Sequence, residues 1–373
     1  MDEQIAKLFA PQVRLSSTDP WFPVSVEWFV DHSSLWYEKI KGKSFWNTTK
    51  QKRIQICVDE TPSLDSLHLY PLENEKGDFD ITSFGESASD RKPNWFLKLK
   101  SEEYYKGMSL EELNESLIPI YVHVNKLQDY TDIQYFYLYA FNGNIVDKMP
   151  ELGIHEGDWE HTTVRLSNEI WSLVEENEDN CKLKECIIAI FYARHGHEGK
   201  WYFDESSGIS DLDDGYQLVD DTLHHVVYSA KGGHASYTIA CSQNRRYVPF
   251  GVPLRIIDDY TDDKGPKWNT WNNIVLLDNT NENQNWLHFN GQWGGKANNI
   301  LCSSGPYGPL MKTYYFSGNP QPSSYNSVYN NSIPHPCAPH LEVWSNCCIR
   351  CFIISIIVFV LLSGFYIFYL YII

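Results

Sequence analysis

The stretch Gly153-Ile-His155-Glu-Gly157-Asp158-Trp159-Glu160-His161, running into Thr-Thr-Val164-Arg165-Leu166, restricts the fold more than any other. Its apolar and polar residues alternate, so Glu160, Thr162, Val164 and Leu166 share one face if the chain is extended. Such a strand needs a neighbouring layer to cover its apolar side. Asp158 and Glu160 then point the same way, with His155 arriving from a glycine-flanked loop. Hard cations are held by converging oxygen ligands, sometimes with an imidazole, on a backbone able to turn them inward. The segment therefore predicts a strand that carries a cation site. A polar strand end whose acids and histidines satisfy buried backbone groups fits the same spacing.

Similar β-like runs recur at 54–58, 118–124, 134–141, 161–166, 186–193, 225–229, 235–240 and 274–277, separated by Gly, Asn and Asp clusters that suit antiparallel pairing. Helical signals are few. Ser109 and Glu112 form a capping box opening 110–117, and 168–176 can form a short helix. Aromatic residues make up 15% of the chain, with 13 Trp and 24 Tyr, which favours a sheet protein over a helical bundle. The fold class expected is mostly β, a β-sandwich-like antiparallel domain over residues 1–317 with few short helices.

The chain has 30 basic and 48 acidic residues, a net charge of −18, which argues against nucleic acid as a partner. The acidic runs at 175–179, 211–214 and 258–263 read as solvated loops, because none keeps EF-hand ligand spacing. Nine cysteines at irregular spacing complete no zinc site, and the N-terminus shows no secretion signal; both fit reduced thiols in the cytosol.

Residues 318–346, rich in Pro, Ser and Asn, are expected to form a tether, and 347–373 a C-terminal transmembrane helix. From Cys351 to Ile373 no charge occurs, and at about 1.5 Å rise per residue this length covers a hydrocarbon core of roughly 30 Å. Aromatics crowd its distal half, as at a membrane interface, and Cys347, Cys348 and Cys351 are candidates for S-acylation. These features predict a single-pass tail anchor with the large domain facing the cytosol. The weak flanking charge leans toward the endomembrane system, endoplasmic reticulum or vacuole, over the mitochondrial outer membrane.

Five stretches, in order, resemble the Vps62 (DUF946) family of fungal and plant proteins. They are Ala10-Pro-Gln-Val-Arg-Leu with Asp19-Pro-Trp-Phe-Pro23; Tyr121-Val-His-Val with Asp132-Ile-Gln-Tyr-Phe-Tyr and Ala140-Phe-Asn-Gly143; Gly157-Asp-Trp-Glu-His161; Tyr228-Ser with Gly233-His-Ala-Ser236; and Gly291-Gln-Trp-Gly294 with Gly305-Pro-Tyr-Gly308-Pro. The resemblance covers residues 10–316 and implies a link to vacuolar protein sorting, without a biochemical activity. A fainter likeness is to the Nep1-like necrosis-inducing proteins, whose signature also places His three residues before Asp-Trp-Glu. It implies that His155, Asp158 and Glu160 serve a divalent-cation site used in binding sphingolipid head groups. Here Glu156-Gly157 replace the Arg-His pair of that signature.

His195 and His234 end β-like runs, and two glycines before His234 allow close backbone approach. The candidate metal ligands are therefore His155, Asp158, Glu160 and His234, with His195 as a further member, for calcium or magnesium rather than zinc. Three classes of function fit: a membrane-tethered sorting adaptor binding protein or lipid, a cation-dependent lipid-head-group binder, and a metal-dependent hydrolase with Glu160 as general base. No nucleophile elbow, phosphate-binding loop or His-Glu-x-x-His supports the last. The adaptor is the favoured class, and the chain is read as more a binder than an enzyme.

Overall fold

The computed structural model describes residues 1–41, 52–69, 95–143, 153–194, 199–203, 215–247, 254–297, 302–312 and 315. The chain opens with helix α1 (Asp2–Leu8), strand β1 (Gln12–Arg14), strand β2 (Pro23–Val24) and helix α2 (Val26–Asp31), whose N-cap Ser25 accepts from the Trp28 amide. Strands β3 (Ser33–Lys41), β4 (Lys52–Asp59) and β5 (Trp95–Leu99) follow. Helix α3 (Leu110–Asn114) begins on the expected capping box of Ser109 and Glu112. Next come β6 (Ile120–Lys126), β7 (Tyr130–Asn142), β8 (His155–Ser167), α4 (Ile170–Glu175), α5 (Asn180–Lys184), β9 (Ile187–Ala193) and β10 (Gly199–Phe203). The remaining strands are β11 (Val226–Ser229), β12 (Ser236–Tyr237), β13 (Ser242–Tyr247), β14 (Leu254–Tyr260), β15 (Lys267–Asn269), β16 (Ile274–Leu276) and β17 (Gln292–Trp293).

A central sheet runs β10-β9-β8-β7-β6-β16, with β2 paired to β7. Its axis is the long β7·β8 pairing, from Tyr130 opposite Ser167 to Asn142 opposite His155. On one face Tyr135, Tyr137 and Tyr139 reach α1 and the sheet β12-β11-β1-β15: the hydroxyls meet Ala6 O at 2.9 Å, Ser236 Oγ, and Ser229 Oγ at 3.0 Å. On the other face Trp159 of β8 packs edge-on against Trp293 of β17, in the sheet β17-β5-β3-β4. Trp286 and Tyr121 complete that aromatic cluster. The core strand is thus covered on both faces. That explains why β7 is buried along nearly its whole length rather than alternately.

The mostly-β class with few short helices holds, but the all-antiparallel expectation does not. β1 pairs with β11, β16 with β6 and β17 with β5 in parallel. Parallel partners need long crossovers instead of tight turns, and each of these short strands meets a partner from a distant part of the chain. The run at 235–240 shortens to the two residues of β12, and β8 begins six residues before the expected 161–166. Cys57, Cys181 and Cys186 are thiols, as expected. The tether 318–346, the apolar segment 347–373 with its cysteines, and His195 lie outside the described residues. Among the described residues no helix is long and apolar enough to cross a membrane.

Candidate functional site

The site is built on the paired middle of β7 and β8. Asp158 lies opposite Tyr139, and Glu160 opposite Tyr137. Directly opposed residues project from the same face, so both acids join the tyrosine face and meet the sheet that carries β11 and β12. Each acid keeps less than a tenth of its surface exposed.

His234 reaches this face from the turn between β11 and β12. Its amide bonds to Ala230 O at 2.9 Å, and the residue sits in the left-handed region at φ 49°. The ring is fully buried and lies flat on Tyr139, with centroids 3.7 Å apart. Nδ1 is 2.9 Å from Asp158 Oδ2. Nε2 lies 3.5 Å from Asp19 Oδ2, too long for a good hydrogen bond. Asp19 is fixed in turn by the amides of Gly232 at 2.8 Å and Trp21 at 3.1 Å. Burial pushes the Asp19 carboxyl above the usual carboxylate range, with the His234 imidazole opposing the shift. One imidazole therefore bonds the Asp158 carboxylate and lies beside a second, Asp19, from a distant segment.

Glu160 stands beside this contact. Burial, reinforced by the neighbouring Asp158 charge, pushes its carboxyl well above the ordinary range. Lys312 acts against that rise, and burial draws its ammonium down while Glu160 and Asp158 hold it up. Lys312 follows the 3-10 turn Pro309–Met311, and its positive charge acts on both acids. Asp259 at the end of β14, which accepts from the Tyr237 hydroxyl at 2.6 Å, adds a further negative charge near Glu160.

His155 belongs to β8 itself instead of the preceding loop. Its Nδ1 lies 2.7 Å from Gly157 O and its Nε2 2.9 Å from Asn142 Nδ2. The carbonyl requires Nδ1–H and the amide requires a lone pair on Nε2, which assigns the neutral tautomer. Burial lowers the ring's pKa in the same sense. Both nitrogens are thus engaged.

Glu156, two residues from Asp158, serves another layer. Its carboxylate accepts from the amides of Leu99 at 3.0 Å and Gly295 at 3.1 Å and from the Tyr105 hydroxyl at 3.2 Å. Gly157 between them is left-handed at φ 61°, and a Cβ there would meet Trp293 O at 2.0 Å. This glycine breaks the strict alternation of an extended strand and sends the two acids to different partners. Trp159 and His161 turn out to be core residues: Trp159 lies in the tryptophan cluster, and His161, stacked near Phe136 and Phe191, is driven by burial to a pKa of about 3.

Of the four ligands expected, the structure joins Asp158 to His234 and sets Glu160 on the same face, while His155 is bonded within its own strand. Among the described residues no three His, Cys, Asp or Glu side chains converge closely enough to hold a metal ion. Asp158 and Glu160 have the oxygen chemistry of a hard-cation site. The two histidines fit such a site only by leaving their present partners. Asp19, Lys312, Asp259 and Glu156 escaped the sequence reading as site members. Asp19 carried a signal in the Asp19-Pro-Trp-Phe stretch and Glu156 in the opening segment, whereas Asp259, expected in a solvated acidic loop, is buried in β14.

The family model for vacuolar protein sorting-associated protein 62 matches residues 89–301. In Saccharomyces cerevisiae, vacuolar protein sorting-associated protein 62 is 26% identical over 339 residues, covering 81% of this chain and 64% of its own length. TDA6 of the same yeast, provisionally assigned to vacuolar protein sorting, is 26% identical over 253 residues, covering 60% of this chain and 49% of its own. The chain thus spans less than two thirds of the length of either relative. Among solved structures, NLPPya in complex with glucosamine overlaps 82% of this chain and 84% of its own at 11% identity and a TM-score of 0.30. A structure described as a toxin fold for microbial attack and plant defense overlaps 50% and 61% at 12% identity and a TM-score of 0.25. Both overlaps are loose.

Proposed function

The chain belongs to the vacuolar protein sorting-associated protein 62 family, and from that membership we propose that it acts in vacuolar and endomembrane protein sorting as a membrane-tethered binding module. The observation that carries the choice of binding over catalysis is the closed arrangement around Asp158. Its carboxylate is held by a buried imidazole, its strand neighbour Trp159 is spent in the core, and the Lys312 charge acts on Glu160. A site of this kind positions charge on a double-covered sheet, with both acids buried. The names of the yeast relatives support the sorting role, and the uncharged segment 351–373 supports the tether.

The test is cellular. Full-length protein should sit on endomembranes, with its domain open to protease added to the cytosolic side, and removal of 351–373 should release it. Cells lacking the protein should missort a soluble vacuolar cargo. Normal sorting in such cells, or unchanged location of the truncated chain, overturns the reading.

A second reading is a calcium or magnesium site on Asp158 and Glu160, joined by His155 and His234 once they leave Asn142 and Asp158, which presents a lipid head group. The paired acids on one face support it. Calorimetry of the detergent-solubilised full chain against calcium and magnesium, for wild type and Glu160→Gln, decides it. Heat of binding lost in the variant supports the site, and no heat with wild type removes it.

A further inference from the structure

Two carboxylates flank the His234 ring, and only one of them is hydrogen-bonded to it. Nδ1 lies 2.9 Å from Asp158 Oδ2, which puts a proton on Nδ1, because an ionised carboxylate only accepts. Nε2 lies 3.5 Å from Asp19 Oδ2 and, although buried, has no hydrogen-bond partner. A buried polar atom left in that state is costly. The ring has little freedom to relieve it, being stacked flat on Tyr139 at 3.7 Å and carried by a left-handed backbone at φ 49°.

Asp19 is equally fixed. Its Oδ2 accepts from the amide of Gly232, in the same turn as His234, at 2.8 Å, and its Oδ1 from the Trp21 amide at 3.1 Å. Each amide uses one lone pair, so Oδ2 retains another, and this oxygen is the one beside Nε2. Capping of the turn therefore leaves part of this carboxylate unspent.

An imidazole that holds a metal through one nitrogen gives the N–H of the other to a carboxylate or carbonyl, which fixes the ring and raises the basicity of the ligating nitrogen. His234 has the partners for that arrangement, Asp158 at Nδ1 and Asp19 at Nε2, with the proton on the Asp158 side. Once Asp158 is engaged by a cation it no longer accepts from Nδ1. In the neutral ring the one proton then moves from Nδ1 to Nε2, whose N–H meets Asp19. Closure from 3.5 Å to about 2.9 Å completes that bond.

We propose that Asp19 is a positioning residue of the cation site, taking the Nε2–H of His234 so that the Nδ1 lone pair serves a calcium or magnesium ion on Asp158 and Glu160. The proposal rests on the second reading above. It adds a residue between β1 and β2 that acts on the ion through His234.

Manganese is the spectroscopic probe, since the same oxygen ligands take it. The detergent-solubilised full chain is loaded with manganese, and the electron spin-echo modulation from directly bound imidazole nitrogen is read beside calorimetric affinities for manganese and calcium. His234→Gln should lose one imidazole's share of the modulation, and Asp19→Leu should lose the same share, which a turn cap would not affect. Asp19→Asn, which keeps the volume and an acceptor without the charge, should bind both ions about tenfold more weakly. Full modulation and wild-type affinity in the Asp19 variants overturn the positioning role and leave the cation site standing. If Asp19→Leu does not fold, the Asp19→Asn affinity decides: a tenfold loss supports the role and wild-type affinity overturns it. Wild type that binds neither ion refutes the cation reading itself, and the role of Asp19 with it.

Discussion

His234 holds Asp158 through a 2.9 Å Nδ1–Oδ2 contact across 76 residues of sequence. The ring is fully buried, stacked on Tyr139, and has Asp19 on its other nitrogen. This bridge joins the central sheet to the turn between β11 and β12.

If that contact organises the site, Asp158→Ala and His234→Ala should each destabilise the fold, and the double variant should lose less than their sum. The expected coupling is about 1–3 kcal/mol, the range for a charge-assisted buried hydrogen bond. Urea unfolding of the four proteins measures it. Additive losses would mean the pair is only a neighbour relationship.

Glu160 should weaken the fold near neutral pH. Its carboxyl is raised by burial and by Asp158 above the 4.5 of the unfolded chain. Protons therefore bind the native state preferentially, so the stability it contributes is present below pH 4.5 and is lost as pH rises through the folded value. Glu160→Gln should accordingly be more stable than wild type at pH 8, by about 1–2 kcal/mol, while the two converge at pH 4. A variant less stable than wild type at pH 8 would show instead that attraction to Lys312 outweighs burial.

His225 predicts the opposite slope. Burial drives its pKa to about 3 from 6.5, and the neutral ring is bonded to Phe9 O at 3.2 Å and Thr162 Oγ1 at 3.0 Å. The unfolded chain takes the proton first, so this contribution is full above pH 6.5 and falls as pH drops toward 3. Between pH 7 and pH 5 it amounts to about 2 kcal/mol. Unfolding midpoints at the two pH values should converge more closely in His225→Gln than in wild type. An equal drop in both would place the acid sensitivity elsewhere.

Gly157→Ala should be among the most damaging single-methyl additions in the domain. It places a side chain at φ 61° and a Cβ 2.0 Å from Trp293 O. The left-handed conformation alone costs about 1–2 kcal/mol, and relief of the clash requires β8 and β17 to separate. Thermal melting of the variant, beside Gly143→Ala, where the three atoms nearest the added Cβ all belong to the Trp21 ring, checks the backbone origin of the effect. Equal shifts for the two would remove it.

The sequence made β6, β7, β8 and β9 of the central sheet visible because their β-like runs are long and bounded by turn residues, while β2 and β10 were not expected. The capping box of α3 was visible because Ser109 and Glu112 meet by local spacing alone. What stayed hidden depends on contacts between distant segments. The parallel partners β1 and β17 are two or three residues long, too short to show a period, and the run at 274–277 is visible as β16 without revealing its parallel pairing with β6. Asp158 and Glu160 were correctly placed on one face, yet His155 was not free to join them. A histidine's hydrogen-bond partners, here Asn142 and Gly157 O, are set by strand register. Lys312 gave no signal at all, since one lysine after a turn looks like surface until the acids its charge acts on are buried.

The left-handed Gly157 lets two carboxylates two positions apart work for separate layers, Glu156 clamping the β5 side and Asp158 the His234 side. Descent within this fold is then constrained at a residue with no side chain. A lineage that acquires any other amino acid there must surrender one of the two attachments or rebuild the crossing with Trp293. Loss of this glycine should therefore mark copies in which the acid pair has already ceased to matter.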